Sequence, residues 1–551
     1  MTYPTLNSLF EEAIRRFPGR TAIRNTATQA GEPNEISYAQ LGHEVSLLEA
    51  ALSVRGVGQG DRIAIVSPPR IRFATVALAA MKRGAWFVPL DPSLAAAELK
   101  TLLDHSEPAL VFAPISFHDR LPGRQSVVDL DDQSATTLTY ASLLEEGAAE
   151  PDSSDASSVA LTSDDIAILA YTSGTTGDPK GVMLKHGNIS ADLIEGTKVI
   201  PVDPSDVILF IAPWHHIMGL TTGLFLPLFA GATAMHTSDF RRIAEVMQSN
   251  GVTIFAAVPK LYHAMYEKLM AKVTHSLSGR LLWRIAPRLI GRQVKRKVTG
   301  SHLRFFVSGS APLSAEVAHG FRRMGIGMME GYGLTETSPV LSLTDPYRGL
   351  PGSVGSPLPS VEVRIVDPSP DGVGELHVRG PVVMEGYYHN EEATRQVIEE
   401  EGWFHTGDLA TIDEKGNIFL KGRAKNVIVL DSGKNIYPEE IEWQIGRVPY
   451  VEEVLVRAAL HQGRIALQAV IFPNRERMQN EGLEETDHER LLDRLWAAIR
   501  ERQLQLAPYK RLRSRSQLLL TNHPFPKTGS LDIKRYLLDR ELNDQFSPSE
   551  G

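Results

Sequence analysis

Tyr171-Thr-Ser-Gly-Thr-Thr-Gly-Asp-Pro-Lys-Gly181 is the stretch on which the reading of this chain turns. An apolar run, IAILAY at 166–171, leads into it and reads as a buried strand. Hydroxyls then stand at Thr172, Ser173, Thr175 and Thr176, glycines at Gly174 and Gly177, and an ammonium at Lys180. Glycine lets backbone N–H groups approach an anion, hydroxyls add donors and lysine adds charge, so the loop suits a polyphosphate. The common P-loop wants Gly before its lysine and Ser or Thr after it; Pro179 and Gly181 stand there instead. Taken alone, such a loop could also be a polar turn between a strand and a helix.

Working outward, short apolar runs recur at 62–66 (RIAIV), 207–211 (VILFI), 253–258 (TIFAAV) and 303–307 (LRFFV), each followed within two residues by Gly, Pro or Ser. They read as interior strands that end in turns and alternate with helix-like stretches, the pattern of α/β layers around a largely buried sheet. After Gly355 the segments shorten and alternate: VEVRIVD at 361–367 and ELHVRG at 375–380 flank a turn and predict a hairpin in a β-rich subdomain. Beyond Gly422-Arg423 a small α+β unit is expected. It comprises a helix at 438–446, strands at 451–457 and 465–472, a charged helix at 488–503 and a last strand at 516–520. Residues 134–163, rich in Ser, Thr, Asp and Ala, read as an exposed loop.

The 551 residues carry a net charge of −9, so no global basic field points to nucleic acid. Cysteine is absent, which excludes disulfides, thiolate metal sites and a cysteine nucleophile together. The N-terminal residues lack the apolar core of a secretory signal. The most apolar stretch, 217–234, is interrupted by Gly219, Gly223, Pro227 and Gly231 and reads as a buried segment of a cytoplasmic protein. There is no G-x-S-x-G elbow and no H-E-x-x-H, and GYGLTE breaks the dinucleotide pattern at its last position.

The phosphate-suited loop has partners in order along the chain: Gly331-Tyr-Gly-Leu-Thr-Glu-Thr337, Gly402-Trp-Phe-His-Thr-Gly-Asp408, Gly422-Arg423, and Gly433-Lys-Asn-Ile-Tyr-Pro-Glu-Glu-Ile-Glu442. With these motifs nearly the whole sequence resembles the adenylate-forming superfamily of acyl-CoA synthetases, amino-acid adenylating domains and firefly-type luciferases. The resemblance implies a large N-terminal adenylation domain of layered α/β sheets at 1–421, a hinge at 422–430, a small mobile α+β lid domain at 431–545 and a tail at 546–551. It implies that Thr172 to Lys180 close over the ATP β- and γ-phosphates. Ser310, Ala311 and Pro312 would line the adenine, with Tyr332 between Gly331 and Gly333 packed on its face. Thr335 would touch the α-phosphate, Glu336 would hold Mg²⁺, Asp408 would take the ribose hydroxyls and Arg423 would approach ribose or phosphate. Each has a plainer alternative alone: Asp408 as a turn cap, Glu336 as a helix cap, Tyr332 as core.

His215-His216 invites a metal reading, but adjacent residues of an extended segment face opposite ways and no third ligand follows at zinc spacing. In the family a histidine at the position of His216 guards the entrance to the acyl pocket, and amino-acid-activating relatives place an aspartate in this region. No acid occurs from 211 to 227, which favours an apolar acid. The run IMGLTTGLFLPLFAGA at 217–232 would wall an alkyl tunnel or be ordinary core. The hinge segment at 421–442 resembles bacterial long-chain and medium-chain fatty acyl-CoA synthetases. The implied reaction joins a fatty acid to ATP as acyl-AMP, then transfers the acyl group to a thiol of coenzyme A or of an acyl carrier protein.

One motif departs from the pattern. The family's Pro-x-Thr-x-Ser-Gly-Lys-like loop carries a lysine that pairs with the carboxylate and α-phosphate. Pro526-Lys-Thr-Gly-Ser-Leu-Asp-Ile-Lys-Arg535, aligned without gaps, places Leu531 and Asp532 at its glycine and lysine. Lys534 is the first candidate substitute and Lys527 the second. The other reading is an adenylation-impaired relative that binds acyl group or nucleotide, or catalyses only the thioester step. Finally, Arg280, Arg284, Arg288, Arg292 and Arg296 recur at every fourth residue, and no acid stands between 280 and 304. This predicts a basic helix interrupted at Pro287, either simply solvated or docking peripherally on anionic lipid.

Overall fold

The apolar runs sort into two sheets. The structure is a computed structural model that describes residues 2–27, 29–123, 126–150, 159–172, 179–237, 239, 241–309, 311, 313–430, 434–461, 464–480, 488–527, 533–535 and 537. One sheet has eight strands, with Ile166–Thr172 and Arg62–Val66 flanking Trp86–Leu90 at its centre and Lys180–Lys185 and Gly386–Tyr387 at one edge. The other has nine, in which Val207–Phe210, Ile254–Ala257, Phe305–Ser308 and Gly327–Tyr332 lie side by side. These four are mutually parallel, as are Arg62–Val66 and Trp86–Leu90. They are buried on both faces, so their sequences read as apolar runs rather than as alternation.

One apolar core joins the two sheets and takes in the helices Ile71–Lys82 and His186–Val199. The first of these, IRFATVALAAMK, is buried on every side from Ile71 to Met81, which is why it carries so little polar surface. The expected hairpin forms between Glu362–Val366 and Gly374–Arg379 and continues into Phe404–Ile412 and Ile418–Arg423, an antiparallel four-stranded sheet. Beyond it the helix Pro438–Ile445, the sheet of Val451–His461, Arg464–Pro473 and Leu518–Leu520, and the helix His488–Arg502 enclose a separate core that includes Ile441, Val456, Ile471 and Leu495. This C-terminal unit rests on the helices Pro259–Thr274 and Ala315–Arg323. Its contacts are Lys260 with Glu452 (2.8 Å), Arg447 with Glu316, and the Trp443 ring edge-on to His263 at 5.4 Å.

Two expectations need correction. The segment at 134–163 is not simply a loop: Leu138–Thr139 extends the eight-stranded sheet and Tyr140–Ala149 is a helix, while 151–158 lie outside the described residues. Thr139 accepts from the Ser142 N–H at 3.2 Å and caps that helix. Tyr140, Leu143 and Gly147 are buried toward Tyr38–Val54, so closely that a Cβ on Gly147 would come within 1.9 Å of the Leu47 carbonyl oxygen. Helical spacing of the few apolar residues was masked by the small polar ones around them. The second concerns the plainer alternative for the phosphate-suited loop, a turn into a helix: the antiparallel strand Lys180–Lys185 follows instead. Among the described residues no helix is long and apolar enough to cross a membrane.

Candidate active site

Thr172 lies opposite Lys180 in the strand pair on either side of residues 173–178. Ser173, Gly174, Thr175, Thr176 and Gly177 lie outside the described residues, as do Ser310, Pro312 and Asp532. The Lys180 ammonium sits 4.7 Å from the centre of the Tyr387 ring, a cation over an aromatic face. Tyr387 reaches this place because Gly386–Tyr387 adds to the sheet edge beside Val182 and Met183. Its hydroxyl donates to Glu336 Oε1 at 2.9 Å. Burial and the Glu336 charge push the Tyr387 phenol above its ordinary range, so it remains a donor.

Glu336 occupies a single turn, Thr335–Thr337, pinned by the Met384 N–H donating to the Glu336 carbonyl at 2.9 Å. Gly333 is needed just before it, because a Cβ there would lie 1.7 Å from the Pro339 carbonyl oxygen. Asp408 and Arg423 meet through sheet register: they are direct partners on adjacent antiparallel strands, with Arg423 Nε 2.8 Å from Asp408 Oδ1. The Tyr332 hydroxyl donates to Asp408 Oδ2 at 2.6 Å. Burial pushes the Asp408 carboxyl above the usual carboxylate range, and the Arg423 guanidinium works against it.

All of these groups border one cavity of about 2610 Å³. Thr172, Lys180, Thr335, Glu336, Asp408 and Arg423 line its polar part together with Ala311, Gly331, Tyr332 and Gly333. The C-terminal unit closes this part with Lys425, Trp443, Lys534 and Arg535. Lys527 is not in the lining and pairs instead with Glu453. An apolar arm continues past His216 and Met218 between Ile208, Phe210, Leu226, Ile254 and Phe305 to Ile200 and Val202. The expected tunnel wall at 217–232 is a π-helical turn, Gly219–Phe225, followed by the short helix Leu226–Ala230. Thr221, Thr222 and Leu226 of this segment reach the cavity. Wide turns of this kind recur at functional sites because they displace side chains from a regular helix face.

The histidine pair corrects a sequence argument. His215 and His216 lie in a turn, not an extended segment; their rings are 4.4 Å apart and both line the cavity. An acid is also present, supplied from elsewhere in the chain: Asp91 Oδ2 lies 3.7 Å from His215 Nε2. Burial holds His215 neutral, well below its ordinary range. Asp91, Tyr387 and Arg535 were given no role by sequence reasoning; Arg535 ends the quoted C-terminal loop, and no local pattern marks the other two. Arg535 pairs with Glu442 at 2.5 Å and, with Arg423, disfavours the charged form of Lys425, whose pKa partial desolvation lowers first.

Among the described residues one cluster has metal-ligand chemistry, Glu375 with His377 and His405. The two rings are stacked at 4.0 Å with planes 18° apart. Imidazole nitrogens ligate in the ring plane, so stacked rings do not aim at a common ion. Glu399, paired with Arg364, instead accepts from His405 Nε2 at 2.9 Å.

The sequence matches the AMP-binding enzyme family over residues 10–388 and the AMP-binding enzyme C-terminal domain over 425–547. It is 30% identical to the long-chain-fatty-acid–CoA ligase FadD15 of Mycobacterium bovis, covering 77% of this chain and 75% of that one. It is 30% identical to a feruloyl-CoA synthase of an Amycolatopsis species, covering 80% and 83%. It is 28% identical to the chloroplastic long-chain-fatty-acid–[acyl-carrier-protein] ligase AEE15 of Arabidopsis thaliana, covering 81% and 73%. In three dimensions it resembles ATP-bound MatB from Rhodopseudomonas palustris with a TM-score of 0.77 and 26% identity, over 98% of this chain and all of that one.

Proposed function

Because the chain belongs to the AMP-binding enzyme family, we propose that it is a fatty-acid-activating ligase, joining the acid to ATP and then to a thiol, most simply that of coenzyme A. Its enzyme class, an ATP-dependent, AMP-forming acyl ligase, follows from family membership and from the curated ligases it resembles. In the first step a carboxylate oxygen of the acid attacks the α-phosphorus and the bond to the β-bridging oxygen breaks, giving acyl-AMP and pyrophosphate. In the second the thiol sulfur attacks the acyl carbonyl, its proton leaves to solvent, and AMP departs.

The observation that carries this reading is the continuity of one cavity, polar around Lys180, Glu336 and Asp408 and apolar beyond His216. Lys180 is the cation we assign to the departing phosphates, and Thr335 the donor to the α-phosphate. Thr172 to Lys180 would cover the phosphates, Ala311 and Tyr332 would hold the adenine, and Asp408 with Arg423 the ribose. The fit of Mg²⁺ rests on Glu336, a carboxylate with one oxygen oriented by Tyr387 at the cavity edge; the ion would offset charge on the pyrophosphate. The hinge is placed at 422–430, and closure of the lid at 431–545 brings Lys534 into the site. We place the reaction in the cytoplasm.

An adenylation-impaired protein is the second reading, and Asp532 in place of a lysine is what favours it. ATP–pyrophosphate exchange with saturated acids of increasing length, and with an aryl acid such as ferulate, separates the readings. Exchange driven by a fatty acid is expected, reduced by about 10²-fold in Lys534→Ala, the typical worth of one preorganised cation. Exchange with no carboxylic acid would overturn the primary reading. A preference for ferulate would overturn the substrate class alone. Transfer to coenzyme A or to an acyl carrier protein is then read from the thioester formed.

A further inference from the structure

Exposed large apolar side chains are few among the described residues, yet four fall between 277 and 289: Leu277 (83% exposed), Leu281 (58%), Ile285 (71%) and Leu289 (45%). They recur every fourth residue; on a helix of 3.6 residues per turn Leu277, Leu281 and Ile285 each stand about 40° round from the last and form one ridge, with Leu289 exposed on the helix that follows. The ridge runs along Leu277–Ile285 and, past the break at Ala286, Pro287–Val294 follows. Both helices are firmly seated. Leu282 and Trp283 face inward, with the Arg323 guanidinium 4.6 Å from the centre of the Trp283 ring. Ile290, Gly291 and Val294 are buried, and a Cβ on Gly291 would meet the Met324 carbonyl oxygen at 1.8 Å.

Beside the ridge runs a second stripe, Arg280, Arg284, Arg288, Arg292 and Arg296, all exposed. No Asp or Glu occurs from 276 to 304, and among the described residues none of the last four arginines pairs with a carboxylate. This local field opposes the chain's net charge of −9. A basic stripe alone attracts any polyanion, but nucleic acid gains nothing from neighbouring leucines and isoleucine, and single strands need stacked aromatics, whereas Trp283 is covered. A surface with phosphates outside and hydrocarbon beneath satisfies both stripes at once.

We propose that the face formed by residues 277–296 docks the enzyme on anionic lipid bilayers, arginines among the headgroups and Leu277, Leu281, Ile285 and Leu289 at the acyl boundary. The face lies outside the cavity lining, so docking leaves the site intact and places it where a poorly soluble acid is concentrated.

The test is co-sedimentation of the full-length chain with phosphatidylcholine vesicles and with mixed phosphatidylcholine–phosphatidylglycerol vesicles, at low and high salt, which reads no catalysis. Binding to mixed vesicles only, reversed by salt, is expected. Arg284→Gln/Arg288→Gln/Arg292→Gln should weaken it by about a hundredfold, from the typical worth of each cation at such a surface. Leu281→Ser/Ile285→Ser should weaken it at least about tenfold, with circular dichroism and ATP–pyrophosphate exchange unchanged in both variants. Equal binding to both vesicles, insensitivity to salt, or wild-type binding by either variant would overturn the proposal. So would tighter binding to duplex DNA than to vesicles, or a lipid-free dimer that Leu281→Ser/Ile285→Ser dissociates, which would assign the ridge to a second copy.

Discussion

Tyr387 connects two groups proposed above to act on one polyphosphate: its ring carries the Lys180 ammonium and its hydroxyl fixes a Glu336 oxygen. A hydrogen bond to a charged group contributes about 1.5–3 kcal/mol, and here that energy goes into orientation. Tyr387→Phe keeps the ring under Lys180 and removes only the hydroxyl. The expected outcome is a fall in kcat of about 10- to 100-fold at limiting Mg²⁺, with partial recovery at saturating Mg²⁺, while thermal stability changes little. Tyr387→Leu should remove both contacts and recover less. Equal losses at all Mg²⁺ concentrations in Tyr387→Phe would show that the hydroxyl does not act through Glu336.

At the scale of elements, side chains from the parallel strands Val207–Phe210, Ile254–Ala257 and Phe305–Ser308 wall the apolar arm of the cavity. Ala256 is a small side chain in this wall, paired in register with Phe210. A larger group at 256 would occupy the arm without touching Lys180, Glu336 or Asp408. Ala256→Phe is therefore expected to lower kcat/KM for long acids by at least about tenfold while short acids stay within about threefold, a ratio read from pyrophosphate release across a chain-length series. Because overpacking costs about 1–3 kcal/mol, the melting temperature is measured alongside. A uniform loss for every acid would place the acyl chain elsewhere.

At the scale of the whole molecule, the C-terminal unit meets the helices beneath it through contacts that include Lys260 with Glu452, Arg447 with Glu316, and Trp443 on His263, which the proposed lid movement would break. His263 is held down to about 4 by burial, with Arg447 next in effect. An imidazole released from Trp443 and Arg447 returns toward its ordinary value near 6.5, so the open form binds the extra proton. Closure is then unaffected above about pH 6.5 and disfavoured progressively from there toward 4, by up to about tenfold at pH 5.5. Trp443 fluorescence should report this opening, and His263→Gln should flatten its dependence on pH. A wild-type signal constant from pH 7 to 5 would count against the coupling.

The interior strands and the five motifs were legible in sequence because each is a local property: buried strands must be apolar, and a loop that cradles phosphate must be Gly-, Ser- and Thr-rich with a cation. The residues 166–171 run and its loop announced themselves in this way, as did Asp408 and Arg423, each inside its own motif. The pairing of Asp408 with Arg423, the arrival of Tyr387 beside Lys180, the meeting of Asp91 with His215 and the seat of Arg535 on Glu442 are set by strand register and by the packing of elements remote in sequence. They join positions 15 to more than 200 residues apart, such as Asp408 with Arg423 and Lys180 with Tyr387. The helix Tyr140–Ala149 was hidden for a related reason, since its apolar face is short and gains its meaning only against Tyr38–Val54. Sequence therefore determined which chemistry this chain carries, through the residue types its loops and strands require. Tertiary structure alone decided which of those groups face one another, because register and packing bring together residues between which no periodicity runs.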